Sequence, residues 1–138
     1  YEGPRRRLFD TRDKEADAPD LQIRKGLAST YAERMTAALA SLDSPESVRN
    51  LCLMSGQLAT LAQDMKDHLL MSATSSLFNY VKGVGAEAAL NTEVVRAHLE
   101  AITQLASLPN SQAELRRTVT QQLSVMVTKK LRQAGEAA

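Results

Sequence analysis

Residues 44–81, SPESVRNLCLMSGQLATLAQDMKDHLLMSATSSLFNYV, decide the fold that we predict for this chain. The stretch opens with a typical helix start, because serine can cap a backbone N–H, proline fits the first turn and glutamate suits the helix dipole. Apolar residues then recur every three or four positions, as on one face of an α-helix; they are Val48, Leu51, Met54, Leu58, Leu61, Met65 and Leu69. A small-residue run at 72–76 marks a predicted kink or break.

The same stretch carries only three charges between residues 50 and 81, namely Asp64, Lys66 and Asp67. A helix with so few charges is covered on more than one side. We therefore expect it to be the central element of the fold or to line a subunit interface. The two aspartates near its middle are interpreted as part of a solvated patch.

Three further amphipathic helices are predicted around this segment. One starts at Asp20, the next at Asn91 and the last at Ser111, with apolar residues at spacings of three and four. Aromatic residues make up only 4% of the 138-residue chain, whereas helix formers such as Ala, Leu, Gln and Glu are plentiful. Because short connections favour antiparallel neighbours, the predicted fold is all-α, an antiparallel bundle of four main helices over residues 21–138.

Residues 1–20 form a charged N-terminal arm that differs from the bundle. Five positive and six negative side chains fall in this stretch, and its apolar content is low. Such a segment cannot bury enough surface to offset its ordering entropy, so a solvated linker is the favoured interpretation. The alternative is a docking arm in which Leu8 and Phe9 are a small apolar anchor for a partner.

Two histidines, His68 and His98, are the first candidates for chemistry. A partly buried structural imidazole is favoured for both. The alternative is a phosphate-accepting histidine, since phosphotransfer bundles resemble this chain in size and helix count. Those bundles usually carry a cation three residues after the histidine and a glycine four after it, and neither histidine has them.

Metal and nucleophile chemistry finds little support in the sequence. The residues three before the histidines are Met65 and Val95, so the Glu-x-x-His motif of di-iron bundles is missing. The single cysteine, Cys52, lies between two leucines and is interpreted as a small buried hydrophobe. We therefore expect this chain not to be an enzyme and to have no catalytic residue, cofactor or bound metal.

The favoured function is a protein–protein interaction or regulatory module that binds a protein partner or forms a homodimer. Excess apolar surface on the second helix motivates this, since such surface usually marks an interface. We predict that it is exposed between residues 69 and 81, with Phe78 or Tyr80 near a two-fold axis. The predicted contact residues are Leu70, Met71, Leu77, Phe78 and Tyr80.

The last predicted helix is basic and suggests a DNA-contacting regulator as a further alternative. Its predicted basic face comprises Arg116, Arg117, Lys129, Lys130 and Arg132. No aromatic residue accompanies these cations and the chain's net charge is only +1, so nucleic acid is not the expected partner. No apolar run reaches the length of a membrane span, and the lone cysteine favours a cytoplasmic location.

Overall fold

A computed structural model describes residues 18–84 and 90–137, and every regular element in those ranges is helical, which confirms the all-α prediction. The helices are α1 (Pro19–Ala37), α2 (Pro45–Asp64), α3 (His68–Val84), α4 (Thr92–Ser107) and α5 (Ala113–Ala137). A short 3-10 helix, Ala38–Ser41, follows α1. None of these helices is both long enough and apolar enough to cross a membrane.

The second predicted helix is two helices, and the predicted site of its break is wrong. Residues 72–76 lie inside the continuous helix α3, whereas the chain turns at residues 65–67. Lys66 adopts the left-handed conformation with φ of 57°. Asp67 then caps α3, because its Oδ1 accepts the Leu70 N–H at 3.1 Å. Small residues such as Ala73 are buried against neighbouring helices and do not interrupt α3.

The core lies between all five helices, and α4 is its most deeply buried element. Nine of the 16 residues of α4 are buried, against five of the 17 residues of α3. Helix α4 packs against α1, α3 and α5, while α2 packs mainly on α3. The 44–81 segment is therefore not the sole central element, because α4 shares that position. The largest buried side chains include Met35, Leu51, Leu58, Leu70, Leu77, Ile102 and Leu105.

Two of the predicted helix starts are confirmed and two are wrong. Ser44 accepts the Ser47 N–H at the start of α2, and Asn91 accepts two backbone N–H groups at the start of α4. Helix α1 instead starts at Pro19 without a side-chain cap, which places Asp20 inside the first turn. Helix α5 starts at Ala113, two residues after the predicted Ser111.

Candidate functional site

The partner surface predicted on α3 is largely inside the molecule. Leu70 and Leu77 are fully buried, and Met71, Phe78 and Tyr80 are half-buried. The expectation that residues 69–81 form an exposed apolar stretch is therefore wrong, because α2, α4 and α5 cover α3 on several sides. Leu8 and Phe9, the predicted anchor of the arm, lie outside the described residues.

Phe78 and Tyr80 are each engaged within the chain. The Phe78 ring lies against Gly56 of α2, where a Cβ atom would come within 3.3 Å of it. The Lys82 ammonium lies 5.5 Å from the centroid of the same ring, within cation–π range. The Tyr80 hydroxyl accepts the Asn91 N–H at 2.9 Å. Both rings therefore join helices of one chain.

His98 forms a neutral polar cluster between α3 and α4. Its Nδ1 lies 2.8 Å from the Val94 carbonyl, its Nε2 lies 2.9 Å from the Ser76 hydroxyl, and its ring stacks on Tyr80. Burial lowers the pKa of His98, and the hydrogen bond to the Val94 carbonyl opposes part of that effect. Because the ring is fully buried, it cannot serve as a phosphate acceptor.

A charged cluster, which the sequence did not reveal, joins the helices at one end of the bundle. Asp67 and Arg116 are both buried, with 2.5 Å between Oδ2 and Nη2. The Nη1 group of Arg116 also donates to the carbonyls of Leu105, in the last turn of α4, and Leu108, just after that helix. Lys25 of α1 donates to the same Leu108 carbonyl. The interpretation of Asp67 as a solvated acid is therefore wrong.

The predicted basic face of α5 is not continuous. Arg116 faces the core, as its spacing of three and seven from the buried Val119 and Leu123 indicates. Arg117 lies 12 positions before Lys129, about 18 Å along the helix axis. The exposed cations therefore form two separate groups, one at Arg117 and the other at Lys129 and Arg132 with the half-buried Lys130.

His68 is exposed at the first residue of α3, on the edge of a shallow cavity of about 290 Å³. Lys66 and Arg117 also line this cavity, beside the buried Asp67–Arg116 pair. No three His, Cys, Asp or Glu side chains are grouped to hold a metal ion within the described ranges. Cys52 is half-buried and packs against the core.

Four of the seven large apolar side chains exposed in the described ranges lie on α5; the others are Ile23 and Leu27 on α1 and Leu53 on α2. Val125 is 69% exposed and Met126 is 44% exposed, at the middle of the helix. They lie in an open depression of about 700 Å³ that we name the α5 outer face, lined by Gln121, Gln122, Val125, Met126, Lys129 and Lys130. Leu115 and Leu131 are also exposed, nearer the two ends of the helix. The spacing of Leu115, Met126 and Leu131 predicts a core-facing stripe, and their exposure differs from that prediction.

No family model, curated protein or solved structure matches this chain. The function is therefore inferred from the contacts and exposure of the chain's own residues. The α5 outer face combines an open volume of about 700 Å³ with two adjacent exposed apolar side chains.

Proposed function

We propose that this chain is a non-enzymatic helical interaction module that binds protein through the α5 outer face. The observation that carries the proposal is the exposure of Val125 next to Met126, with polar side chains on either side. Exposed apolar patches rimmed by polar residues are typical of protein-binding surfaces. Methionine adds an adaptable contact, because its unbranched side chain fits irregular partners.

The proposal moves the partner surface from α3 to α5. On α3 the large apolar side chains already have partners in α2, α4 and α5. On α5 the buried residues Val119 and Leu123 occupy one side of the helix, and Val125 projects from the opposite side. A partner can therefore bind Val125 without unfolding any part of the bundle. A regulatory role and a cytoplasmic location are part of the same proposal, the latter supported by the single cysteine.

The test uses Val125→Asp and a matched control, Leu53→Asp on α2. Leu53 is 61% exposed, so both changes place a carboxylate at an exposed apolar position of a helix. The immobilised wild-type chain is used to retain proteins, including further copies of itself, from extracts of the source organism. Retention is expected to fall at least about tenfold with Val125→Asp and to stay at the wild-type level with Leu53→Asp.

Thermal melting of both variants checks that the fold is intact. Melting temperatures close to that of the wild type are expected, because surface substitutions change stability little. Equal retention by the wild type and Val125→Asp would overturn the assignment of the α5 outer face. Loss of retention in Leu53→Asp alone would place the binding surface on α2.

A further inference from the structure

We infer that the partner of the α5 outer face is an acidic amphipathic helix of another protein, antiparallel to α5. Its apolar side packs on Val125 and Met126, and the carboxylates of its first turns lie against Lys129 and Arg132. The inference rests on the proposed function and names the chemistry of the partner. Charge complementarity carries it, together with the position of the cations along α5.

Two exposed cations continue the exposed side of α5 on which Val125 lies. Lys129 and Arg132 follow Val125 by four and seven positions, which correspond to about one and two helical turns. Lys130 does not belong to this row, because it lies seven positions after the buried Leu123 and is itself half-buried. From Val125 to Arg132 the row extends about 10 Å along the helix axis.

Neither cation of this row is compensated by an acid among the described side chains. The described acids that form ion pairs are Glu93 and Asp67, and both pair with other arginines. Residues 115–133 contain no aspartate or glutamate. The helix dipole does not account for the cations either, because its effect falls off within the last turn and no basic residue lies in the last turn of α5. The carboxylates of a partner supply the missing negative charge.

An acid on the neighbouring helix indicates the orientation of the partner. Glu100 of α4 is exposed beside Gln122 and Met126, at one edge of the α5 outer face. Carboxylates of a partner are therefore repelled near Gln122 and attracted near Lys129. In a helix antiparallel to α5, the end that faces Lys129 is the N-terminal end. Acidic residues there also stabilise the partner helix through its own dipole, so both effects favour the antiparallel arrangement.

The chemistry of the face favours a helix over a strand, a nucleic acid or a membrane. A strand binds by pairing with free backbone groups at a sheet edge, whereas the middle of an α-helix has none to offer. Phosphate contacts would engage the two cations but leave Val125 and Met126 against a polar backbone. A helix that lies in a membrane surface needs a continuous apolar side, and here glutamines flank the two apolar residues.

Selection from a library of displayed peptides tests the chemistry and the orientation together. Each peptide has about 18 residues, with leucines at helical spacing and Glu, Gln or Lys allowed at the positions beside them. The immobilised wild-type chain is the target, and immobilised Val125→Asp removes peptides that bind elsewhere. We expect glutamate to be enriched in the first two turns of the retained peptides. Enrichment of lysine, enrichment of glutamate only in the last two turns, or no enrichment at all would overturn the inference.

Fluorescence anisotropy with the most enriched peptide tests the two cations. Lys129→Gln combined with Arg132→Gln is expected to weaken binding at least about fivefold at low salt, and by less as the ionic strength rises. The control, Arg34→Gln combined with Arg49→Gln, removes the same charge from exposed positions on α1 and α2 and is expected to leave binding unchanged. Equal weakening by both double variants would show that net charge, and not the row on α5, attracts the peptide.

Short duplex DNA and phosphatidylserine vesicles are the competing probes in the same assay. Neither is expected to bind as tightly as the enriched peptide. Tighter binding of either probe, lost when Lys129 and Arg132 are both changed to Gln, would overturn the inference in favour of phosphate recognition.

The outcomes separate the inference from the proposed function. If retention of proteins depends on Val125 but no glutamate-rich peptide is enriched, the acidic helix is wrong and the interaction surface stands. If retention does not depend on Val125 and no peptide is enriched, both are wrong. Glutamate-rich peptides that require Val125, Lys129 and Arg132 support both.

Discussion

The charged cluster at Asp67 and the neutral cluster at His98 bury polar groups in opposite ways. Asp67 and Arg116 keep opposite charges and compensate each other, with carbonyls at the C-terminal end of α4 as further acceptors. Among the described residues His98 contacts a hydroxyl and a carbonyl and no carboxylate, and burial favours its neutral form. Burying an unpaired charge is far more unfavourable than burying a hydrogen-bonded neutral group. The stability that the ion pair contributes therefore requires both residues. The stability that His98 contributes requires its ring to stay neutral.

The two clusters also differ in reach. The charged cluster joins α1 and α5 to the C-terminal end of α4 and to the segment that follows α2. The neutral cluster joins only α3 and α4, through Ser76, Tyr80 and His98. Damage to the charged cluster should therefore have the larger effect on the whole bundle.

The largest expected loss of stability comes from removing one member of the Asp67–Arg116 ion pair. Asp67→Ala leaves the Arg116 guanidinium buried without its counter-charge, so the free energy of unfolding is expected to fall by about 3 to 5 kcal/mol. Arg116→Met leaves the carboxylate unpaired in the same way. Chemical denaturation of the two single variants and the double variant measures the coupling. The double variant is expected to lose less than the sum of the single losses; simple additivity would show that the pair does not act as a unit.

A smaller effect is expected when pH is lowered through the histidine range. The folded chain holds His98 at a pKa below the ordinary value of 6.5, so below that pH the unfolded chain binds more protons. The stability from neutral His98 is thus complete above about pH 6.5 and is lost as the pH falls, by up to about 1.4 kcal/mol per pH unit.

Unfolding curves at pH 7.5 and 5.5 measure this loss. His98→Gln is expected to be less stable than the wild type at pH 7.5 but to lose less stability on acidification. His68→Gln is the matched control, since that ring is exposed in the folded chain. If His98→Gln and the wild type lose equal stability between the two pH values, the buried histidine is not the source of the pH dependence.

The smallest expected effect is a gain in stability from a substitution in the turn that precedes Asp67. Lys66 has a φ of 57°, a conformation that L-residues with a Cβ atom adopt at a cost of about 1 kcal/mol. Lys66→Gly removes that cost but increases the freedom of the unfolded chain, so a net gain of about 0.5 kcal/mol is expected. Lys66→Ala keeps the Cβ atom and should show no gain in the same thermal melts. A loss of stability in the glycine variant would mean that the lysine side chain supports the turn.

The features that could be predicted from sequence are those set by neighbouring residues. Ser44 and Asn91 cap their own helices, and the apolar periods of α2 and α4 identify the sides that face the core. The burial of His98 also follows from its place in the apolar arc of α4. These features need no knowledge of which helix lies opposite.

The features that could not be predicted depend on distant partners. Asp67 is neutralised by a residue 49 positions later, so its local sequence resembles that of an exposed acid. The sequence of an apolar stripe also does not indicate whether another helix covers it. The stripe on α3 has cover on several sides, whereas Leu115, Met126 and Leu131 on α5 remain substantially exposed. The exposure predicted for residues 69–81 was wrong for this reason.

The packing of α1 against α4 has a consequence for synthesis on the ribosome. Ala28, Ala32 and Met35 of α1 are fully buried, and α1 packs more extensively against α4 than against α2. Helix α4 begins only at Thr92, and chains grow at about 5 to 20 residues per second. The apolar side of α1 is therefore made several seconds before the surface that covers it. The α2–α3 hairpin, whose contacts are local, can close in the meantime, so α1 is among the last of the described helices to be buried.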